Sequence, residues 1–183
     1  MRIISGSHRG KQLHPPSRLP VRPTTDFAKV GLFNILNNLV DFEELRVLDL
    51  FAGTGSISLE FLSRGAGSVV AVDKHPGCAE YIGKTAQQIR PGVLESVRSD
   101  AFRYIRLAGK SFDLIFADPP YDLAGMETLP SLVLNSGLLV PGGWFILEHS
   151  RNYDFTKEPG FDQERKYGNV HFSFFRAKKE GED

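Results

Sequence analysis

Cysteine is almost missing: Cys78 is the single one in 183 residues. An internal disulfide is therefore excluded, as is a thiolate metal cage. The five histidines, at 8, 14, 75, 149 and 171, show no ligand spacing, so no metal site is expected. No apolar run approaches the roughly 18–20 residues of a membrane span, and the first residues hold no apolar signal core. Those absences set the expectation of a cytoplasmic protein with no membrane partner. Net charge is missing as well, with 22 Lys and Arg against 22 Asp and Glu. The balance hides an asymmetry, because residues 1–25 contain Arg2, Arg9, Lys11, Arg18 and Arg22 and no acid at all. The remainder holds 22 acids against 17 bases. A basic arm on an acidic body points to a polyanion as the arm's partner, although a solvated tail can carry the same charge.

What is present is rhythm. Residues 1–23 are rich in Gly and Pro, and Arg2 to Ser5 can pair with Lys11 to His14 as a small hairpin. Pro15, Pro16, Pro20 and Pro23 then keep the chain extended. Thr24 or Thr25 is placed to cap a helix whose apolar positions are Val30, Phe33, Leu36 and Leu39. From Arg46 onward strands and helices alternate. The expected strands are Val47 to Leu50, Ser68 to Asp73, Val93 to Arg98, Phe112 to Ala117 and Gly143 to Glu148. The helices between them are Ile57 to Leu62, Gly77 to Ile89, Ala101 to Leu107 and Met126 to Leu134. Strands spaced this way predict a doubly wound α/β fold with a mostly parallel sheet and helices on both faces. Gln163 to Tyr167 and Val170 to Arg176 flank Gly168-Asn169, a two-residue turn, so the seven-stranded sheet should close with an antiparallel hairpin. The expected division is a basic arm over residues 1–23 and one main domain over residues 24–183.

The stretch that carries chemistry is residues 113–121, Asp-Leu-Ile-Phe-Ala-Asp-Pro-Pro-Tyr. Leu114 to Ala117 read as a buried strand. Asp118-Pro119-Pro120-Tyr121 stands at its carboxyl end, where open α/β sheets hold their ligands. Each residue type there suits an exocyclic amine on a flat base. An ionised Asp118 only accepts hydrogen bonds, and Pro119 offers a carbonyl at fixed φ with no competing N–H. Tyr121 offers a face for stacking, worth about 1–3 kcal/mol per base. A rigid turn ending a strand is the plainer alternative.

A second motif lies between the first strand and its helix: Asp49-Leu50-Phe51-Ala52-Gly53-Thr54-Gly55. Gly53 and Gly55 allow a tight turn and a close backbone approach to a ligand. The dinucleotide fingerprint would need its third glycine where Ser58 stands. Acids also end the next two strands. Asp73 suits a ribose diol. Asp100, with the backbone of Ala101, suits an adenine amine. Any Asp before a helix can instead be an N-cap.

Together, Asp49-x-Phe51-x-Gly53-x-Gly55, Asp73, Asp100 and Asp118-Pro119-Pro120-Tyr121 resemble a class I S-adenosylmethionine-dependent methyltransferase acting on a nucleobase amine. Further stretches narrow the likeness: Arg2-Ile3-Ile4-Ser5-Gly6 with Arg9-Gly10, Arg22-Pro23-Thr24-Thr25-Asp26, Leu32-Phe33-Asn34-Ile35-Leu36, Leu62-Ser63-Arg64-Gly65-Ala66 and Lys166-Tyr167-Gly168. These resemble the bacterial 16S rRNA guanine-N2 methyltransferase family (RsmD-like), from Met1 to about Phe175. The resemblance implies a Rossmann-like fold, S-adenosylmethionine as cofactor and methyl transfer to the N2 amine of a guanine in small-subunit ribosomal RNA. It implies cofactor contacts from Asp49, Phe51, Gly53, Gly55, Asp73, Lys74, Asp100, Ala101 and Asp118. Catalysis would rest on Asp118, Pro119, Pro120 and Tyr121. RNA would meet Arg2, Arg9, Lys11, Arg18, Arg22 and Lys29. The implied partner is ribosomal RNA, naked or in an assembling 30S subunit, and the implied state a monomer.

Two departures stand out. The family's first helix usually continues with an Arg-x-Arg-Glu pattern, where this chain has Phe27, Lys29 and Val30. Asp73 stands where the family often has Glu. Three other functions fit parts of the pattern. A DNA adenine-N6 or cytosine-N4 methyltransferase needs the same amine-holding motif. A nicotinamide-dependent oxidoreductase needs the missing glycine. A non-catalytic RNA-binding module needs neither motif intact.

Overall fold

The computed structural model of the chain describes residues 1–21 and 24–181. Its order is α1 (Asp26–Leu39), β1 (Arg46–Leu50), α2 (Ser56–Ser63), β2 (Ser68–Asp73), α3 (Pro76–Ile89), β3 (Leu94–Arg98), α4 (Ala101–Leu107) and β4 (Phe112–Ala117). It continues through α5 (Leu129–Leu134), β5 (Leu139–His149), β6 (Phe161–Tyr167) and β7 (Val170–Arg176). The strands form one seven-stranded sheet in the order β3-β2-β1-β4-β5-β7-β6. The first five are parallel, while β7 runs antiparallel to both β5 and β6. The expected α/β architecture and its terminal hairpin are both present.

Two boundaries differ from the sequence reading by three residues or more. Met126–Thr128 form a 3₁₀ turn, and only Leu129–Leu134 are α-helical. Pro130, near the start of α5, lacks the N–H that would tie it back to the preceding turn. Strand β5 begins at Leu139 rather than Gly143, with a register shift against β4 between Phe112 and Leu114. That irregularity accommodates Pro141-Gly142 in the strand.

Two apolar layers sandwich the sheet. One joins α1, α2 and α3 to one face through Phe33, Phe61, Ile82, Phe116, Ile146 and Phe172. The other joins α4 and α5 to the opposite face through Ile105, Leu129, Ile115, Phe145 and Leu147. Helix α2 is buried on every side, which is why even its polar residues must find partners inside the protein.

The arm is docked rather than loose. Ile3 and Leu13 belong to the first apolar layer. Arg2 bridges Gln12, and Ile3 N–H donates to Lys11 O at 3.1 Å, a reduced form of the expected hairpin. Thr25 caps α1 through Oγ1, which accepts from Ala28 N–H at 3.3 Å. Among the described residues no helix is long and apolar enough to cross a membrane.

Candidate active site

The strand order reverses between β1 and β4, and ligands bind at such a switch beyond the carboxyl ends of the strands. Here both chemical motifs meet. Leu50, the last residue of β1, pairs with Ala117, the last of β4. Asp118 N–H donates back to Leu50 O at 3.4 Å, which ties the two tips together.

The chain bends sharply past the tip of β1. Phe51 has φ of 61°, a left-handed backbone that side-chain-bearing residues seldom adopt. Its ring packs edge-on to Phe102 at 6.4 Å. Gly53 and Gly55 are also left-handed, at φ of 57° and 77°. Gly55 is obligatory for a second reason, since a Cβ there would lie 2.7 Å from Ile82 Cγ1. A Cβ on Gly53 would meet the Val21 side chain at 3.7 Å, an ordinary packing distance. The arm thus passes the rim of this loop.

The three acids differ in how they are used. Asp73 holds the loop, accepting from Gly53 N–H through Oδ2 and from His75 N–H through Oδ1, both at 2.8 Å. Lys74 beside it is exposed. Asp100 caps α4 by accepting from Arg103 N–H at 3.0 Å, and Ala101 is buried behind it. Asp49 is buried, and its Oδ2 accepts from both the N–H (3.1 Å) and the hydroxyl (2.5 Å) of Ser58. Its carboxyl group therefore reaches the cleft only through α2 and the glycine loop that it anchors. Ser58, which stands where a dinucleotide site has glycine, is the partner that fixes Asp49. Burial above all pushes the Asp49 pKa up to about 7.

At the tip of β4, Asp118 is half-buried. Desolvation raises its pKa to about 7. Pro119 is buried and Pro120 exposed, so the stiff pair anchors one end and presents the other. Tyr121 is 46% exposed, which leaves a ring face free for stacking. Its hydroxyl stays neutral, with the pKa pushed up to about 12 by burial and then by the charges of Glu148 and Asp118.

Glu148 had no assigned role in the sequence reading, yet it belongs to this cluster. It follows Leu147, which pairs with Ala117, so Glu148 in β5 and Asp118 just past β4 lie at one level and on one face. It is 4% exposed, and its Oε2 has no hydrogen-bond partner. The available signal was a lone acid ending the apolar run Phe145-Ile146-Leu147.

The basic residues divide. Arg9 and Arg18 are exposed and Lys11 is half-buried. Arg2 is exposed but forms an ion pair with Asp26 at 3.1 Å. Arg22 lies outside the described residues. Lys29 is a correction: it is 1% exposed and offers no charge to RNA. Its ammonium donates to Arg2 O at 2.6 Å and to Ser56 Oγ at 3.2 Å, and it pairs with Glu60 at 3.4 Å. Phe27, at the first departing position of α1, is 69% exposed with its ring edge-on to Tyr167 at 5.7 Å.

Two other features have ligand-binding character. A groove of about 910 Å³ runs between α4 and α5, lined by residues that include Asp100, Phe102, Gly125 and Asn135. It touches the expected cofactor residues only at Asp100. The fold also gathers His149, Glu164 and His171, whose ligand atoms lie within 4.8 Å of one another. Sequence spacing gave no hint of this, because the three meet only when β5, β6 and β7 pair. His171 Nδ1 lies 3.2 Å from Glu164 Oε1, and His149 Nε2 lies 2.8 Å from Ser173 Oγ.

A family model described as "Conserved hypothetical protein 95" matches residues 1–176. The chain belongs to that family. The Bacillus subtilis protein YlbH is 33% identical over 87% of this chain and 88% of its own length. Escherichia coli "Ribosomal RNA small subunit methyltransferase D" is 27% identical over 100% of this chain and 92% of its own. The solved structure of Escherichia coli yhhF superposes with a TM-score of 0.84 at 26% identity, covering 98% of this chain and 99% of that one. The fold is thus that of the class I methyltransferases, as expected.

Proposed function

We propose that this protein transfers a methyl group from S-adenosylmethionine to the exocyclic N2 amine of a guanine in small-subunit ribosomal RNA. The observation that carries the reading is the union of two tips, the glycine loop after β1 and Asp118-Pro119-Pro120-Tyr121 after β4, held together at Leu50 and Ala117. The named activity of the Escherichia coli relative supports the choice of ribosomal RNA. A cytoplasmic monomer working on RNA alone or within an assembling 30S subunit is part of the same proposal.

The residues present fit the cofactor. The left-handed glycine turn at Gly53 and Gly55, the start of α2 beyond it, and the carboxylates of Asp73 and Asp100 make a donor and acceptor set for a nucleoside carrying a positive charge. Bound there, S-adenosylmethionine would supply a methyl group already activated by its sulfonium.

The chain's own work is placement and charge stabilisation. Holding the amine in line with the methyl can supply several kcal/mol, up to ~7–11 in ideal cases. A guanine amine is a poor nucleophile because its lone pair is spread into the ring. Asp118 and the Pro119 carbonyl accept its two hydrogens and favour the pyramidal form. Those hydrogen bonds strengthen as the nitrogen becomes positive, which favours the transition state over the ground state. Tyr121 stacks on the base once it has left its helix. Arg9, Lys11 and Arg18 hold phosphates from the docked arm, and Arg2 adds a charge where Asp26 leaves it free.

The test is incubation with labelled S-adenosylmethionine and ribosomal RNA, partly assembled particles or DNA, followed by nucleoside analysis. N2-methylguanosine from RNA or particles is the expected product. Label recovered only as a methylated adenine or cytosine of DNA would overturn the reading.

A further inference from the structure

Asp118 alone cannot tell one amine-bearing base from another. Adenine, cytosine and guanine all present two amine hydrogens, and two acceptor oxygens receive any of them. The difference lies in the next atoms of the base edge. Beside its amine guanine has a ring N–H and then a carbonyl, N1–H and O6. Adenine and cytosine have a ring nitrogen acceptor beside theirs.

Among the described residues, one buried side chain is poised for that difference. Glu148 is the penultimate residue of β5 and directly follows Leu147, the partner of Ala117, which sets it beside Asp118 on the same face of the sheet. Neighbouring strands lie about 4.8 Å apart, the scale of a single base edge. The side chain is 4% exposed, and Oε2 is buried with no partner. Buried polar atoms are almost always satisfied, so an orphan at a strand tip marks a place for a ligand atom. On its other side β7 sets Phe172, which offers no hydrogen bond. The titratable group beside it is Asp118, and Tyr121 lies near both.

Resting on the methyltransfer reading above, we propose that Glu148 selects guanine by pairing its carboxyl group with the N1–H and O6 of the base whose amine Asp118 receives. Burial, and then the charge of Asp118, push the Glu148 pKa up to about 9. At neutral pH the group is thus a neutral acid with one acceptor oxygen and one O–H donor. The acceptor takes N1–H and the donor meets O6. Asp118, the more acidic of the two, is left to receive the amine.

A base analogue separates this role from a structural one. 2-Aminopurine keeps the reacting amine but has a ring acceptor at N1 and no O6. Small-subunit RNA is prepared with guanine or 2-aminopurine at the methylated position by ligating a synthetic segment. Transfer is measured with wild type, Glu148→Ala and Glu148→Gln, and cofactor affinity is checked by calorimetry. Wild type should prefer guanine by about ten- to a hundredfold in kcat/KM. Glu148→Ala should erase most of that preference through a higher KM for guanine RNA. Glu148→Gln should keep it, because its amide still accepts from N1–H and donates to O6. An unchanged guanine preference in Glu148→Ala overturns the proposal, as does a Gln variant as indiscriminate as Ala. If Ala fails to fold, Glu148→Met, which fills the space without the two hydrogen bonds, takes its place with the same expected loss of preference. Wild type that methylates no guanine would instead refute the functional reading itself.

Discussion

Glu60 holds Lys29 at 3.4 Å in the protein interior, and the same carboxylate accepts the backbone N–H groups of Ile4 and Ser5 at 2.8 and 3.0 Å. Arg64 adds a second charged contact at 2.9 Å. One acid in α2 thereby fastens the basic arm, helix α1 and its own helix. Glu60→Ala should leave a buried ammonium unpaired and cost roughly 3–5 kcal/mol, read from denaturant unfolding. The arm should also become cleavable by protease. Intact protection of residues 1–21 in the variant would show that the apolar contacts of Ile3 and Leu13 suffice.

Asp118→Ala should abolish methyl transfer while cofactor affinity stays within a few-fold of wild type. Removing a half-buried acid whose ionisation is costly should at the same time raise stability at pH 8. Paired losses of transfer and cofactor affinity in calorimetry would argue against its role as amine acceptor.

Asp73→Ala should weaken cofactor binding by an order of magnitude or more, because it frees the Gly53 and His75 N–H groups and removes the expected ribose acceptor. Asp73→Asn keeps one acceptor oxygen and should lie between. Unchanged affinity in both would refute the ribose assignment.

Activity and stability should move oppositely with pH. The amine acceptor must be ionised, so single-turnover rates should rise through about pH 7, where burial has placed Asp118. For stability, a carboxyl raised in the folded state penalises folding once pH exceeds its unfolded value near 4. The penalty grows up to the folded pKa and then stays constant. Asp49 at about 7 and Glu148 at about 9 add in the same direction. Denaturation midpoints should therefore fall between pH 5 and 9, and less so in Asp118→Asn.

Replacing Arg9, Lys11 and Arg18 together by Ala should lower the slope of log affinity against log salt by about two units for RNA. Lys29→Met should leave that slope untouched, since Lys29 is buried. An unchanged slope in the triple variant would place the phosphate contacts elsewhere.

Local order was readable from residue pattern. The alternation of apolar strands and helices, the glycine turns and the hairpin at Gly168-Asn169 depend on near neighbours along the chain. So do the Thr25 cap and the polar tip at Asp118. Where reading by pattern went astray, the cause lay across the fold. Lys29 looks like a surface charge on an amphipathic helix until α2 brings Glu60 against it. Glu148 looks like the polar end of a strand until β4 sets Asp118 beside it.

The chain's own residue order determined which segments become strands and helices and which carry acids, glycines and bases, because backbone preference and hydrophobic period act over a few residues. Tertiary structure alone decided which of those charges are exposed, which are paired and which stand empty-handed in the cleft. Desolvation and partner distance belong to contacts between segments dozens of residues apart, and no spacing along the chain encodes them.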